Sequence, residues 1–175
     1  MSAKPGQEEY WRQAAHEYGA ALERLAWGYE PDPDRRRDLL QEIHLALWRS
    51  FENFDARCSL RTWIYRVAHN VAISRIARKR KVEPVFVTLE DIAAQPSLQN
   101  VEKTADRKKS LARLLALVQG LDLIDRQLML AYLEDLDAET ISQITGLSVA
   151  NVWTRIHRIK NVLVHQFHAG GPDAK

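Results

Sequence analysis

The sequence predicts an all-α protein of two small helical domains joined by a flexible linker, the C-terminal one carrying a helix-turn-helix. Three observations lead to this prediction. Apolar residues recur every three or four positions through most of the chain, which is the spacing of one helix face. Residues 82–106 lack this period and contain Pro84 and Pro96, as linkers do. Near the end, a short helical pattern, a turn with Gly146 and a longer helical pattern follow one another.

Composition limits the classes of protein that the chain can represent. Of its 175 residues, 46% are hydrophobic and 27% charged, which is typical of a globular protein in water. A single cysteine, Cys58, excludes an internal disulfide and a cysteine-based metal site. No apolar run reaches the roughly 18 residues that span a bilayer, and the first residues lack the apolar core of a signal peptide. We therefore expect a cytoplasmic protein without membrane insertion, metal or cofactor.

The N-terminal domain is expected over residues 8–81, the linker over 82–106 and the C-terminal domain over 107–168. A first helix is predicted from Glu8 to about Tyr29, and Pro31 and Pro33 end it. Asp34 is the expected N-cap of a second helix, over about residues 35–50. A short loop over residues 51–58 follows, because the helical period is interrupted there.

The second helix has two faces of different character. One is a core stripe made of Leu40, Ile43, Leu47 and Phe51, spaced by three and four residues. The other combines acidic, polar and apolar residues, namely Asp38, Gln41, Glu42, Leu45 and Arg49, with Trp48 at its border. This second face is either a solvated polar surface or a protein-docking surface, since docking surfaces often mix apolar and charged groups.

The most basic part of the chain is residues 57–81, which hold eight Lys or Arg and no Asp or Glu. Ser59 is the expected cap of a helix here, whose buried side chains would be Leu60, Ile64, Val67, Ala68, Val71, Ala72 and Ile76. The side chains expected to point elsewhere are Arg61, Tyr65, Arg66, His69, Asn70, Ile73 and residues 78–81, and Trp63 fits either side. Such a helix suits nucleic acid, where cations meet phosphates and rings stack on bases. Basic amphipathic helices also lie on membranes or face solvent.

Two further helices, from Arg107 to near Gly120 and from Asp122 to about Glu134, precede the helix-turn-helix. There Asp137 begins a short helix, Gly146 suits a turn of positive φ, and Ser148 caps a long helix. The second helix of such a motif enters the major groove of DNA. Its outward residues would be Asn151, Thr154, Arg155 and Arg158, with Trp153 and His157 at the sides. Two packed helices of an ordinary bundle are the alternative.

No catalytic constellation emerges from the sequence. It contains neither a Gly-rich phosphate loop nor paired carboxylates with a partner histidine. We therefore do not expect an enzyme.

The order of these motifs resembles the extracytoplasmic-function (ECF) group of bacterial sigma factors, in the sigma-seventy family. Residues 38–42, DLLQE, with Leu45, Trp48 and Arg49, are similar to the family's DLxQE…LW segment. Residues 54–55 and 59–70, FD and SLRTWIYRVAHN, are similar to its FD…SFRTWLYRIARN segment. Residues 121–163, with the predicted helix-turn-helix, resemble the family's third characteristic segment.

The resemblance implies a sigma factor that binds core RNA polymerase, directs it to specific promoters and helps to melt the −10 region. Its implied partners are the β′ clamp helices and β subunit of core polymerase, promoter DNA and an anti-sigma factor. The implied polymerase-binding residues are Asp38, Gln41, Glu42, Leu45, Trp48 and Arg49. The implied −10 contacts are Asn53, Phe54, Asp55, Arg57, Arg61, Trp63, Tyr65, Arg66, His69, Asn70 and Arg78. The implied −35 contacts are Ser148, Asn151, Trp153, Thr154, Arg155 and Arg158.

Two positions depart from the family pattern. Ser74 stands where an acidic residue is usual, and Trp153 replaces a small basic or polar residue of the recognition helix. The competing interpretation of the whole chain is a stand-alone helix-turn-helix regulator that binds duplex DNA as a dimer. A regulator of that kind binds its site unaided, whereas an ECF sigma factor usually needs core polymerase.

Overall fold

The computed structural model describes residues 6–82 and 104–169, and within these ranges the chain forms helices and no strands. This confirms the all-α prediction. Most of the predicted linker, including a short turn expected over residues 88–92, lies outside the described residues. A 3₁₀ turn, Phe51–Asn53, follows the second helix. The α-helices are α1 (Gln7–Tyr29), α2 (Pro33–Ser50), α3 (Leu60–Val82), α4 (Thr104–Gln119), α5 (Leu123–Leu133), α6 (Ala138–Thr145) and α7 (Val149–Ala169).

Side-chain caps fix the beginnings of several of these helices. Asp32, and not Asp34, caps α2, because its carboxylate accepts hydrogen bonds from the backbone N–H groups of Asp34 and Arg35. Pro33 then occupies the first helical position, which a residue without an N–H group fills at no loss. The predicted cap at Ser59 is confirmed, since its hydroxyl accepts from the N–H of Thr62 at 3.0 Å.

The helices of the N-terminal half, α1 to α3, pack around a shared core. Ile43, Leu47 and Phe51 are buried as predicted, but Leu39 is buried and Leu40 is only half-buried. In the C-terminal half, the three- and four-residue spacing predicts an inward stripe on α7 of Val149, Val152, Ile156, Ile159 and Leu163. The last four are buried against α4 to α6, and Val149 is half-buried. Within residues 6–82 and 104–169, none of the helices combines the length and the apolar content that crossing a membrane requires.

The two halves pack against each other, and their buried apolar side chains form one continuous cluster. Helix α1 contacts α4 and α5, and α3 contacts α6. The halves lie close together at Gly28, where an added Cβ would lie 2.3 Å from a methyl carbon of Leu130. Glu134 accepts two hydrogen bonds of 2.7 Å from the Arg24 guanidinium. The domain limits 8–81 and 107–168 stay predictions within this closely packed arrangement.

Candidate polymerase and nucleic-acid interfaces

The acidic–apolar face of α2 is exposed as a connected surface. Asp38, Gln41, Leu45 and Arg49 all face solvent, at the spacing of one helix side. Leu45 is 50% exposed, which is unusual for a large aliphatic side chain beside charged groups. Trp48 is half-buried with its ring edge-on to that of Trp11. The structure thus places all six predicted polymerase-binding residues along α2, with Leu45 as the apolar centre of the exposed face.

The acidic side of this face is already engaged by α3. Glu42 accepts from the guanidinium groups of Arg75 and Arg78, and Asp38 lies 3.9 Å from Arg75. Glu42 is therefore part of the contact between α2 and α3 as well as a candidate docking residue. Sequence reasoning had not assigned any role to Arg75.

Aromatic packing shapes the loop that precedes α3. The Phe54 ring lies 5.1 Å from that of Tyr10 and 5.3 Å from that of Trp63, between centroids. The indole N–H of Trp63 donates to the Ser50 hydroxyl at 2.9 Å. These contacts hold Phe54 and Trp63 half-buried at the edge of the basic helix, which settles the orientation that the sequence left open for Trp63.

Charged groups of the same loop face solvent. Asn53, Asp55 and Arg57 are exposed, and Asp55 accepts from both the backbone N–H and the guanidinium of Arg57. These hydrogen bonds from Arg57 lower the pKa of the Asp55 carboxyl below its ordinary value. The loop therefore offers a negative and a positive group at one exposed point, beside the aromatic edge.

Two predicted −10 contacts are placed differently from the expectation. Tyr65 and His69 were expected to point away from the core, and this is wrong, because they are 2% and 0% exposed. The Tyr65 hydroxyl donates to Glu134, and burial raises the pKa of this phenol. His69 Nδ1 and the Tyr29 hydroxyl share a hydrogen bond of 2.8 Å, and burial lowers the pKa of His69 to about 3. Neither side chain reaches a surface that DNA could contact.

Three other predicted −10 contacts on α3 face solvent as the sequence predicts, and a fourth, Arg66, does so only in part. Arg61, Asn70 and Arg78 are exposed, whereas Arg66 is half-buried with an Nε that has no hydrogen-bond partner among the described residues. Arg61 also donates to the backbone carbonyl of Glu134. One of the predicted −10 contacts is therefore held by the C-terminal half.

The helix-turn-helix forms as predicted. The Asp137 carboxylate accepts from the N–H of Thr140 at 2.7 Å, and this bond lowers the pKa of Asp137 below its ordinary value. Gly146 ends α6 with φ 77°, a conformation that glycine adopts without steric cost. Ser148 accepts from the N–H of Asn151, so its hydroxyl acts as a cap of α7.

Helix α7 presents polar side chains and one large ring to solvent. Asn151, Thr154 and Arg158 are exposed at positions spaced by three and four residues, and Trp153 is 61% exposed on a neighbouring side. Asn and Arg have the hydrogen-bonding groups that form paired contacts with base edges in the major groove. The exposed face of α7 therefore has the chemistry of a duplex-reading surface.

Sequence reasoning missed one residue of this region, Asp125 in the first turn of α5. Its carboxylate accepts from Arg155 at 2.7 Å and from Arg158 at 2.9 Å. Both arginines were expected to point outward, and Arg155 is only half-exposed because of this pair. No local pattern reveals the contact, since its partners lie 30 and 33 residues away.

Within the described ranges, no group of three or more His, Cys, Asp or Glu side chains is arranged to hold a metal ion.

Two family models match the chain: Sigma-70 region 2 over residues 14–82, and Sigma-70, region 4 over residues 111–163. The ECF RNA polymerase sigma factor SigW of Bacillus subtilis is 25% identical over 174 residues, covering 93% of this chain and 91% of SigW. SigG of Mycobacterium tuberculosis, another ECF RNA polymerase sigma factor, is 36% identical over 66 residues, which are 38% of this chain and only 18% of SigG.

A solved structure supports the fold. The sigma factor RpoE from Bartonella quintana, crystallised in complex with the anti-sigma factor NepR, matches with a TM-score of 0.69 and 19% identity. The match covers 91% of this chain and 98% of RpoE. The fold of both halves and their order along the chain are thus those of a sigma factor.

The exposed surfaces described above lie within the two matched regions. Region 2 contains α2 and α3 and most of α1, and region 4 contains the helix-turn-helix. The chain belongs to the sigma-70 family, and the resemblance to its ECF group is confirmed. A stand-alone regulator is not favoured, because such a protein would have no reason to carry region 2.

Proposed function

We propose that this protein binds core RNA polymerase, directs it to specific promoters and helps to separate the DNA strands at the −10 element. The observation that carries the proposal is that two helices expose surfaces of different chemical character. The acidic–apolar face of α2 lies in region 2, and the polar face of α7 lies in region 4. A protein that joins an enzyme to DNA needs such distinct surfaces for its two partners.

The docking surface on polymerase would be the face of α2 centred on Leu45. Burying a half-exposed leucine against a partner is favourable, because apolar area leaves water. The surrounding Asp38, Gln41 and Arg49 would form the polar rim that is usual around such a centre. The clamp helices of the β′ subunit are the expected partner, by the family resemblance.

The −35 element would be read as duplex by α7. Asn151, Thr154 and Arg158 share the exposed face, and hydrogen bonds from such side chains to base edges carry sequence specificity. Trp153 adds an apolar surface beside them, where a thymine methyl group or a sugar could be contacted.

The −10 element would be captured by the loop at residues 53–58 and the start of α3. Arg57, Arg61, Asn70 and Arg78 supply exposed polar or positive groups for the separated strand. The edge of Trp63 is the candidate for stacking on an unpaired base, which offsets the few kcal/mol that unstacking costs. Tyr65 and His69 are left out of this surface because they are buried.

An anti-sigma factor is a further proposed partner. The sigma factor RpoE, which shares the fold, was solved in complex with the anti-sigma factor NepR. We expect the protein to act in the cytoplasm, where the polymerase of a bacterium is found.

The decisive experiment is reconstitution with bacterial core RNA polymerase. Purified protein is mixed with core, co-elution is measured, and transcripts are mapped on a genomic DNA library. We expect co-elution and initiation at a small set of promoters that share a motif. Tight and specific binding to duplex DNA without core, together with no co-elution, would refute the proposal in favour of the regulator.

Leu45→Ser tests the docking surface. The change removes the exposed apolar centre without touching the core, so we expect co-elution with core to weaken while the fold is retained. Val164→Ser is the matched control, because Val164 is a 55% exposed aliphatic residue outside both matched regions. Equal co-elution of the two variants would remove the α2 face from the proposal. Leu45 is a cleaner probe than Glu42, whose removal would also break the ion pairs with α3.

A further inference from the structure

Asp125 is a nearly buried carboxylate that joins α5 to the recognition helix α7. Its side chain is only 9% exposed, and each of its oxygens accepts from a different arginine. Oδ1 accepts from Nη1 of Arg155 at 2.7 Å, and Oδ2 accepts from Nη2 of Arg158 at 2.9 Å. The two arginines are three positions apart, so they extend from neighbouring turns of α7.

The start of α5 is a favourable place for an acidic side chain such as Asp125. The residue lies in the first turn of α5, where the helix dipole stabilises a negative charge. Its backbone N–H donates to the Asp122 cap at 2.9 Å, which fixes the backbone at this point. A carboxylate so far removed from water needs cationic partners, and both come from α7.

The two arginines are not equivalent in this arrangement. The Arg155 side chain is 33% exposed, whereas that of Arg158 is 63% exposed. Arg158 gives one N–H of its guanidinium fork to Asp125, and an arginine has five. Arg158 lies on the exposed side of α7 that carries Asn151 and Thr154, and most of its side chain remains open to solvent. Arg155 therefore serves mainly to connect α7 to α5. Arg158 is fixed by Asp125 on one side and remains exposed for contact with a ligand on the other.

We propose that Asp125 is a positioning residue that braces the Arg158 guanidinium for contact with the −35 duplex. The inference rests on the proposed function, because it deepens the reading of the −35 element by α7. An unbraced arginine samples many rotamers, and binding then has to immobilise it. The ion pair with Asp125 restricts these rotamers before DNA arrives. The negative charge of Asp125 also offsets one of the two positive charges of Arg155 and Arg158. The two arginines therefore attract DNA phosphates of any sequence less strongly.

The test is a double-mutant cycle between Asp125 and Arg158, measured with the full chain bound to core polymerase. The probe is a promoter fragment recovered by the wild-type holoenzyme from a genomic library. Arg158→Ala is expected to weaken binding about ten-fold, as loss of a base-reading arginine does. Asp125→Asn is expected to weaken binding several-fold in the wild-type background but less than about two-fold in the Arg158→Ala background, because bracing has no further effect there.

A purely structural role for Asp125 gives a different result. In that case Asp125→Asn weakens binding by the same factor whether or not Arg158 is present, and this additivity would overturn the proposal. Thermal unfolding and co-elution with core check that each variant is folded. If Asp125→Asn does not fold, Asp125→Glu takes its place, since it keeps the charge and displaces the carboxylate; the same non-additive loss is expected. Failure of the wild-type holoenzyme to bind any promoter would instead refute the proposed function.

Discussion

Replacing Gly28 by alanine tests how tightly the two halves of the molecule are packed. The added Cβ would lie 2.3 and 2.8 Å from the two methyl carbons of Leu130. Real Cβ atoms do not approach carbon atoms this closely, so one side has to move. Leu130 is 3% exposed and cannot swing into solvent. The strain must therefore be absorbed by the interface between α1 and α5.

The magnitude follows from two opposing effects. Overpacking a well-packed core costs about 1–3 kcal/mol. Replacing a glycine by alanine inside a helix gains about 0.5–1 kcal/mol. Gly19 provides a matched control, because it lies in the same helix and a Cβ there would meet nothing within 4 Å. We expect Gly19→Ala to stabilise the protein, and the difference between the two variants, about 1–3 kcal/mol, to measure the contact with Leu130.

Urea unfolding at equilibrium measures both variants. A double variant, Gly28→Ala with Leu130→Ala, removes the obstructing methyl groups and should be less destabilised than the sum of its single changes. If Gly28→Ala proves as stable as Gly19→Ala, the close packing of the two halves is refuted. A fluorescence distance measurement between the halves shows whether the strain is relieved by their separation.

Two further predictions concern the helix-turn-helix and a buried histidine. Asp137→Ala should lower the free energy of unfolding by about 1 kcal/mol, measured in urea, because the N–H of Thr140 loses its acceptor; Glu139→Ala, which spares the cap, should cost less. Burial lowers the pKa of His69 to about 3, so the stability that its neutral form contributes is fully present above the ordinary pKa of about 6.5 and is lost as pH falls towards 3. Between pH 6.5 and 4.5 the wild type should therefore lose stability faster than His69→Gln, by up to about 1.4 kcal/mol per pH unit, and parallel urea-unfolding profiles would contradict this.

The sequence predicts well those features that depend on nearby residues. Helix periods, the caps at Ser59 and Asp137 and the turn at Gly146 are all local, and the structure confirms them. The error at Asp34 is local as well, since the preference of Pro33 for the first helical position points to Asp32 as the cap.

Features that depend on distant residues could not be predicted in this way. Tyr65 and His69 are polar enough to suit an exposed face, yet Tyr29 and Glu134 supply buried hydrogen-bond partners for them. Asp125 resembles any acidic residue in a first helical turn until its partners on α7 are known. In each case the hydrogen-bonding or ion-pair partner lies on another helix. The periodicity of a single helix carries no information about such a partner.

The contact between Gly28 and Leu130 also has a consequence for reach along DNA. Under the proposed function, α3 contacts the −10 element and α7 the −35 element. By their names these elements lie about 25 base pairs apart, or roughly 85 Å at about 3.4 Å per base pair. A compact chain of 175 residues has a radius of gyration of about 16 Å and measures only about 40 Å across. The closed arrangement is therefore too short to touch both elements of a straight promoter. The two halves would have to separate before the protein could bind such a promoter. For each 1.4 kcal/mol or so by which the closed form is more stable than the separated form, the apparent affinity for the promoter falls about ten-fold.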